Sequence, residues 1–199
     1  MPIVIEGEEL VAEPGARDRM IDGAAVLLAK RGLQGASFSE VLEATGAPRG
    51  SIYHHFPGGK DELVAAAIAR VSERTLARLT ELGDSASGLT EGFLGLWRSL
   101  LDRSGLTAGC AVVAVSVAAS DDLLDRAGAV FRDWTAHLAT LLGEAGVPSD
   151  RATPFAVLLI SATEGAVVMA RAQRDLAPFE SVAATLMASA RELDADAAA

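Results

Sequence analysis

The segment "TGAPRGSIYHHF", Thr45 to Phe56, decides how the N-terminal part of the chain folds. Gly46 and Ala47 break the helical pattern before it, and Pro57-Gly58-Gly59 breaks it afterwards. Between the breaks, Pro48 has the fixed φ of a first helical residue and predicts a helix of about eight residues. That helix holds the one Tyr of the protein and two of its three His. So many polar and planar groups on a short helix indicate that its outer surface contacts another molecule.

The preceding sequence predicts a second short helix. "SFSE", Ser37 to Glu40, is a capping box, in which the Ser37 hydroxyl bonds a free backbone amide and Glu40 reaches back. The helix runs from Phe38 to Thr45 and ends at Gly46. An earlier helix has apolar residues at helical spacing, and Gly32 is its C-cap. Two short helices joined by a glycine turn predict a helix-turn-helix.

The composition of the second short helix fits duplex DNA. A recognition helix enters a major groove about 12 Å wide, so its outer face needs small or hydrogen-bonding side chains. Ile52 and Phe56, four apart, are predicted to face the core. The outer positions are Arg49, Gly50, Ser51, Tyr53, His54 and His55, with Lys60 placed for a phosphate at the next helix start. The alternative is a helical hairpin whose His and Tyr are merely on the surface.

The rest of the chain also predicts helices, so the fold class is all-α. A longer helix runs from Lys60 to about Leu82, and "LGDSASG", 82–88, is the best candidate for a domain boundary. Ser149 is the expected N-cap of the fourth of the later helices. These are expected at about 89–103, 107–119, 121–145, 150–174 and 178–193. Residues 1–14 and 194–199 are interpreted as frayed tails.

The net charge of −10 at first argues against DNA, but its distribution does not. Residues 1–14 carry four acids and no base. Residues 15–80 carry nine Lys and Arg against seven Asp and Glu, whereas residues 81–199 carry eight against sixteen. The acidity therefore belongs to the first tail and the second half, and the first half can meet a phosphate backbone.

The sequence favours neither an enzyme nor a membrane protein. There is no Gly-x-Ser-x-Gly turn, no phosphate loop and no set of residues at metal-ligand spacing, so no cofactor or metal is expected. No uninterrupted apolar run reaches the roughly 18 residues of a membrane span, and the expected location is the cytoplasm. Cys110 is interpreted as a structural thiol, and His137 as a structural or pocket-wall group. Glu164, inside an apolar helix, is either a ligand-binding acid or an interface hydrogen bonder.

The run from Arg17 to Leu63 resembles the DNA-binding domain of TetR-family transcriptional regulators. The resemblance implies phosphate contacts from Ser37, Tyr53 and Lys60, and base contacts from Arg49, Ser51 and His54. Many members have Ser or Thr where Pro48 stands, so Pro48 can offer only van der Waals contact. "GCAVVAVSVAA", from Gly109, resembles the LmrA/YxaF-like subgroup. The signature residues are Gly50, Tyr53, His54, His55, Phe56, Lys60 and Leu63.

The resemblance also implies the domain organisation: helix-turn-helix domain at 15–60, connecting helix at 61–82, and ligand-binding and dimerisation domain at 83–199. Apolar and aromatic residues commonly line ligand cavities. The candidate pocket residues are Phe93, Trp97, Cys110, Phe131, Trp134, His137, Phe155 and Met169. The candidate dimer-interface residues are Phe155, Leu158, Leu159, Ala162, Gly165, Ala166, Val182, Leu186 and Ala190. For both sets, ordinary core packing is the alternative.

The leading functional hypothesis is a homodimeric repressor that binds a palindromic operator and is released by a small hydrophobic or aromatic effector. Its two recognition helices would lie in successive major grooves, about 34–36 Å apart. A DNA-binding regulator without a small-molecule switch is the first alternative. An enzyme on a helical scaffold is the second.

Overall fold

The computed structural model describes residues 15–197, which form helices and contain no strand. The predicted all-α fold is confirmed, and the expected tail at 1–14 lies outside the described residues. The helices are α1 (Ala16–Arg31), α2 (Phe38–Thr45), α3 (Arg49–His55), α4 (Lys60–Leu79), α5 (Ala86–Ser104), α6 (Ala111–Ser116), α7 (Asp121–Glu144), α8 (Ser149–Gln173) and α9 (Ala177–Ala197).

Helices α1 to α3 form the helix-turn-helix that the capping signals predict. Ser37 caps α2 by accepting a hydrogen bond from the Glu40 amide at 3.3 Å, and Gly46 ends α2 in the left-handed conformation. Two details differ from expectation. The Glu40 carboxylate pairs with Arg31 of α1 at 2.5 Å instead of reaching back to Ser37. Pro48 is the N-cap of α3 and not its first helical residue, because its ψ of 137° is extended.

Helix α4 connects the two halves of the molecule and is fixed to α1 by ion pairs. Arg70 donates to Asp18 at 2.6 Å and to Asp22 at 3.3 Å. Arg74, one turn further along α4, also donates to Asp22, at 3.0 Å. The hydrogen bond from Arg70 lowers the pKa of the Asp18 carboxyl. Since α4 also packs on α7, a movement of α7 can reach α1 through this helix.

Helix α5 begins earlier than expected because residues far apart in sequence cap its N-terminus. Ser85 accepts from the Gly88 amide at 3.1 Å. Asp194 of α9 accepts from the Ala86 and Ser87 amides at 2.7 and 3.1 Å. The prediction of a frayed tail from residue 194 is therefore wrong for 194–197, which continue α9 to Ala197. Asp196 adds an ion pair with Arg151.

Helices α7 and α8 form a hairpin around the short turn at 145–148, and α9 packs on α5 and α8. The N-cap of α8 is Pro148, so the prediction of Ser149 as the cap is wrong by one residue. Helix α8 has 25 residues and is apolar enough to cross a membrane by length and composition, although no uninterrupted run reaches 18. Half of its most apolar window is buried against the rest of the chain, as in a core helix of a globular protein.

The predicted helix at 107–119 is much shorter in the structure. Helix α6 spans only Ala111–Ser116, and the segment Gly105–Cys110 before it is irregular. Leu106 in this segment has a φ of +61°, which is rare for a residue with a branched side chain. The irregular segment contacts both α1 and α8 through the hydrogen bonds described below.

Candidate nucleic-acid interface

Helix α3 buries one side and exposes the other, as the sequence predicts. Ile52 and Phe56 are completely buried. Tyr53 is 68% exposed and packs edge-on against the ring of Phe38, with centroids 5.5 Å apart. This contact holds the phenol at the junction of α2 and α3 while leaving most of it accessible. A phenol so placed can donate a hydrogen bond to a phosphate oxygen.

The outer face of α3 carries small and polar side chains. Arg49 and His54 are exposed, whereas Ser51 and His55 are partly buried. An ideal Cβ built on Gly50 would have no other atom within 4 Å. Internal packing therefore does not require glycine there, which leaves close approach by an external molecule as a reason for it.

Two of the predicted phosphate-binding residues, Ser37 and Lys60, also form hydrogen bonds inside the protein. Ser37 is partly buried, and its hydroxyl already accepts from the Glu40 amide. The Lys60 ammonium, predicted to meet a phosphate, donates to the Leu33 carbonyl at 2.7 Å. An ammonium has three donors, so Lys60 can still bind a phosphate with the remaining two. Sequence reasoning missed the Leu33 contact because it joins residues 27 positions apart.

Residues 20–67 match the family of bacterial regulatory proteins named after TetR, and residues 88–185 match the C-terminal domain of LmrA/YxaF-like transcriptional regulators. The chain is 38% identical, over 84% of its length and 90% of the relative, to an uncharacterised helix-turn-helix transcriptional regulator of Mycobacterium tuberculosis. The chain belongs to the TetR family of transcriptional regulators, in its LmrA/YxaF-like subgroup. Both expectations of resemblance are confirmed.

Other TetR-family proteins share the fold at lower identity. The regulator LmrA of Bacillus subtilis is 22% identical over 82% of this chain and 90% of its own. A TetR regulator from Legionella pneumophila superposes with a TM-score of 0.79 at 21% identity, covering 89% of this chain and 98% of that one. One from Rhodobacter sphaeroides gives 0.78 at 23% identity, covering 86% and 97%. These relatives are regulators and not enzymes, in agreement with the sequence prediction.

The predicted pocket residues of the second half mostly lie in the core. Phe93 and Trp134 are completely buried, and Trp97, Cys110 and Phe155 nearly so. Two edge-on pairs occur, Phe93 with Trp97 at 6.4 Å and Phe131 with Trp134 at 5.7 Å between centroids. His137 is partly buried on α7.

Met169 does not join these aromatic side chains. It is half exposed, on the outer face of α8. An open groove of about 440 Å³ lies between α7 and α8, and Phe131 is the one pocket candidate in its wall. Membership of a ligand pocket stays a prediction for all eight residues.

The predicted interface residues divide between two faces of α8 and α9. Leu159, Ala166, Leu186 and Ala190 are buried inside the protomer, as is Phe155, while Ala162 and Val182 are partly buried. Leu158 and Gly165 are exposed on the outer face. Val157 and Val168, both about half exposed there, were not among the predicted interface residues. Spacing could not single them out, because the core face and the outer face of α8 are both apolar.

Cys110 and Glu164 bring the irregular segment before α6 into contact with α8. Burial raises the pKa of the Cys110 thiol well above its usual range, and the nearby Glu164 carboxylate adds to the shift. Burial also raises the pKa of Glu164 to about 7. A thiol with a raised pKa is a poor nucleophile, in line with the structural role predicted for Cys110. Within residues 15–197, no cluster of three or more His, Cys, Asp or Glu could hold a metal.

Proposed function

We propose that the protein is a transcriptional repressor that binds a palindromic DNA operator as a homodimer and is released by a small hydrophobic effector. The observation that carries the DNA-binding part is the geometry of α3, which buries Ile52 and exposes Arg49, Tyr53 and His54. With Gly50 open to solvent, the α3 backbone can approach a base-pair edge. Arg49 and His54 would read bases, and Tyr53, Ser37 and Lys60 would bind phosphates.

The outer face of α8 supports the homodimer. Val157, Leu158, Val168 and Met169 are each about half exposed, and Gly165 lies between them. Such a contiguous apolar face is unusual on the surface of a monomer. A second copy of α8 would bury it, and Gly165 would allow the two helices to approach closely. In the cytoplasm, where we place the protein, the same face would otherwise invite nonspecific association.

Two observations support release by an effector. The second half is rich in apolar side chains, and it contacts α1 both through α4 and through the segment before α6. A ligand that changes the packing of α5 to α8 would change the position of α1 and hence of α3. The alternative is a regulator that has the same dimer and the same DNA contacts but no ligand switch.

The test is a footprint of the full chain on the DNA flanking its gene, repeated with a panel of small hydrophobic compounds. Protection of a two-fold symmetric site, removed by at least one compound, is the expected result. Protection that no compound removes would favour the regulator without a switch. No protected site on any flanking DNA would contradict the proposed DNA-binding function.

A further inference from the structure

Glu164 is a buried acid at the contact between α8 and the segment before α6. Its side chain is only 7% exposed. Both carboxylate oxygens are sealed from solvent, and within residues 15–197 neither forms a hydrogen bond of normal geometry. The Cys110 thiol, itself nearly buried at the end of the segment, is the one described side chain that changes the pKa of this carboxyl by direct interaction. A thiol is a weak donor and cannot replace the hydration of a carboxylate.

The helices that pack on α8 supply no counter-charge to Glu164. Arg98 of α5 is bound to Glu180 of α9 at 2.6 Å, and His137 of α7 is partly buried. Arg171, two turns further along α8, donates to a carbonyl of the segment before α6 at 3.1 Å. In the part of the chain that the structure describes, none of these groups alters the pKa of Glu164. A charge on this carboxyl must therefore be stabilised by water.

The charge on Glu164 and the position of the segment are consequently linked. An unpaired carboxylate away from water is strongly unfavourable, so the packed arrangement favours the protonated acid. Water reaches the carboxyl when a covering element moves. The segment before α6 is irregular, and its Leu106 has the uncommon φ of +61°. Irregular stretches open at a lower free energy than core helices, so we expect Cys110 and this segment to leave α8 when Glu164 ionises.

The segment is also bonded to the DNA-binding half. The amide of Gly109, the residue before Cys110, donates to the Ala29 carbonyl of α1 at 2.9 Å. Helix α1 in turn packs on α2 and α3. A movement of Cys110 away from α8 therefore shifts or breaks the bond to Ala29 and changes the support of the recognition helix.

We propose that Glu164 is a pH switch for DNA binding: the protonated form keeps the segment on α8 and binds the operator, and the ionised form releases the segment and binds the operator more weakly. The proposal rests on the proposed function, to which it adds a second input beside the effector. Burial raises the pKa of Glu164 to about 7, whereas the ordinary value of 4.5 applies once the segment is open. With these two values the equilibrium constant for opening rises about tenfold between pH 6 and pH 8.

Hydrogen exchange of the full-length protein at pH 6 and pH 8 tests the opening without DNA. The variants are wild type, Glu164→Gln, which keeps the shape of the side chain without its charge, and Asp133→Asn, which removes an exposed acid from α7. After correction for the intrinsic exchange rate, the Gly109 amide of the wild type and of Asp133→Asn should lose about tenfold in protection from pH 6 to pH 8. In Glu164→Gln the protection should not change. Unchanged protection in the wild type, or an equal loss in Glu164→Gln, would overturn the proposal.

Operator titrations at the same two pH values test the effect on DNA binding. Comparison with Glu164→Gln cancels any titration of His54 and His55 at the interface, because both proteins contain them. The wild type should lose severalfold more affinity than Glu164→Gln from pH 6 to pH 8, and at most about tenfold more. An equal pH dependence in the two proteins would refute this proposal alone. The absence of a footprint at either pH would refute the proposed function, and this proposal with it.

Discussion

The amide of Gly109 donates a hydrogen bond to the carbonyl of Ala29 at 2.9 Å, which ties the segment before α6 directly to the end of α1. This link is independent of α4, whose Arg70 is bound to Asp18 near the start of α1. Helix α1 is thus held at both ends by residues that follow the helix-turn-helix in sequence. A change in the second half that shifts one link relative to the other would tilt α1.

Substitution of Gly109 by alanine should weaken that link. An added Cβ would lie 2.6 Å from Nη1 of Arg171, so the guanidinium must move, which disturbs its bond to Thr107 in the segment that carries the Gly109–Ala29 bond. We expect a loss of about 1 kcal/mol in unfolding free energy and a smaller effect of any effector on operator affinity. Urea unfolding and operator titrations measure both. Gly95→Ala is the control, because its Cβ would meet open space in α5.

Gly50→Ala separates DNA binding from folding. Its Cβ meets nothing in the free protein, and alanine in a helix is favoured over glycine by about 1 kcal/mol, so stability should not fall. If DNA approaches the α3 backbone, the methyl group should lower operator affinity by about tenfold or more. Thermal unfolding and fluorescence anisotropy with labelled operator give the two values. Unchanged affinity would place Gly50 outside the interface.

Arg49→Ala should reduce sequence specificity, whereas Lys60→Ala should reduce affinity for any DNA. Removing a bidentate base contact costs about 1–3 kcal/mol on the operator only, so Arg49→Ala should blur sequence preference at one position. Lys60→Ala should weaken all sequences alike and lower the salt slope by about one unit. It also loses the bond to Leu33, which costs about 1.5–3 kcal/mol of stability. Equal losses for Arg49→Ala on operator and random DNA would assign Arg49 to the phosphates.

Leu158→Arg and Leu159→Arg form a matched pair of neighbours on α8. Leu158 is 48% exposed on the outer face, so its arginine variant should give a folded monomer. Leu159 is completely buried in the protomer, and its variant should unfold because it buries an unpaired charge. Sedimentation velocity with circular dichroism distinguishes the outcomes. A wild-type-like dimer in Leu158→Arg would move the interface away from this face.

The pH dependence of the unfolding free energy should show that the Glu164 carboxyl is buried. Its folded pKa, about 7, is above the ordinary value of 4.5, so the folded state holds its proton more tightly and stability falls as pH rises between these values. Of the described groups, only the Cys110 thiol modifies this shift. At pH 8, Glu164→Gln should be more stable than the wild type by up to about 3 kcal/mol, and near pH 5 the difference should be small. A constant difference from pH 5 to 8 would mean that Glu164 is not buried in solution.

Local signals made the helix-turn-helix predictable. Ser37 and Gly46 act within one or two turns of the residues they cap, so their effect can be read without knowledge of the rest of the fold. The C-terminal end of α9 was not predictable in this way. Asp194 is ordered by amides more than 100 residues away, and such contacts leave no periodic pattern.

The predictions of the length of α6 and of the faces of α8 failed for another reason. An apolar run such as "CAVVAVSVAA" reports burial without reporting how far the helix extends, and here the helix is only six residues long. On α8 the core face and the outer face are both apolar, so spacing alone assigned Leu158 and Leu159 to one surface. Only packing separates them.

The capping of α5 by Asp194 ties the last turns of α9 to the start of the second half. The last turns of α9 and the first turn of α5 must form or fray together, because the Ala86 and Ser87 amides lose their acceptor when α9 unwinds. An affinity tag fused directly after this helix would therefore risk weakening the hydrogen bonds from the Ala86 and Ser87 amides to Asp194.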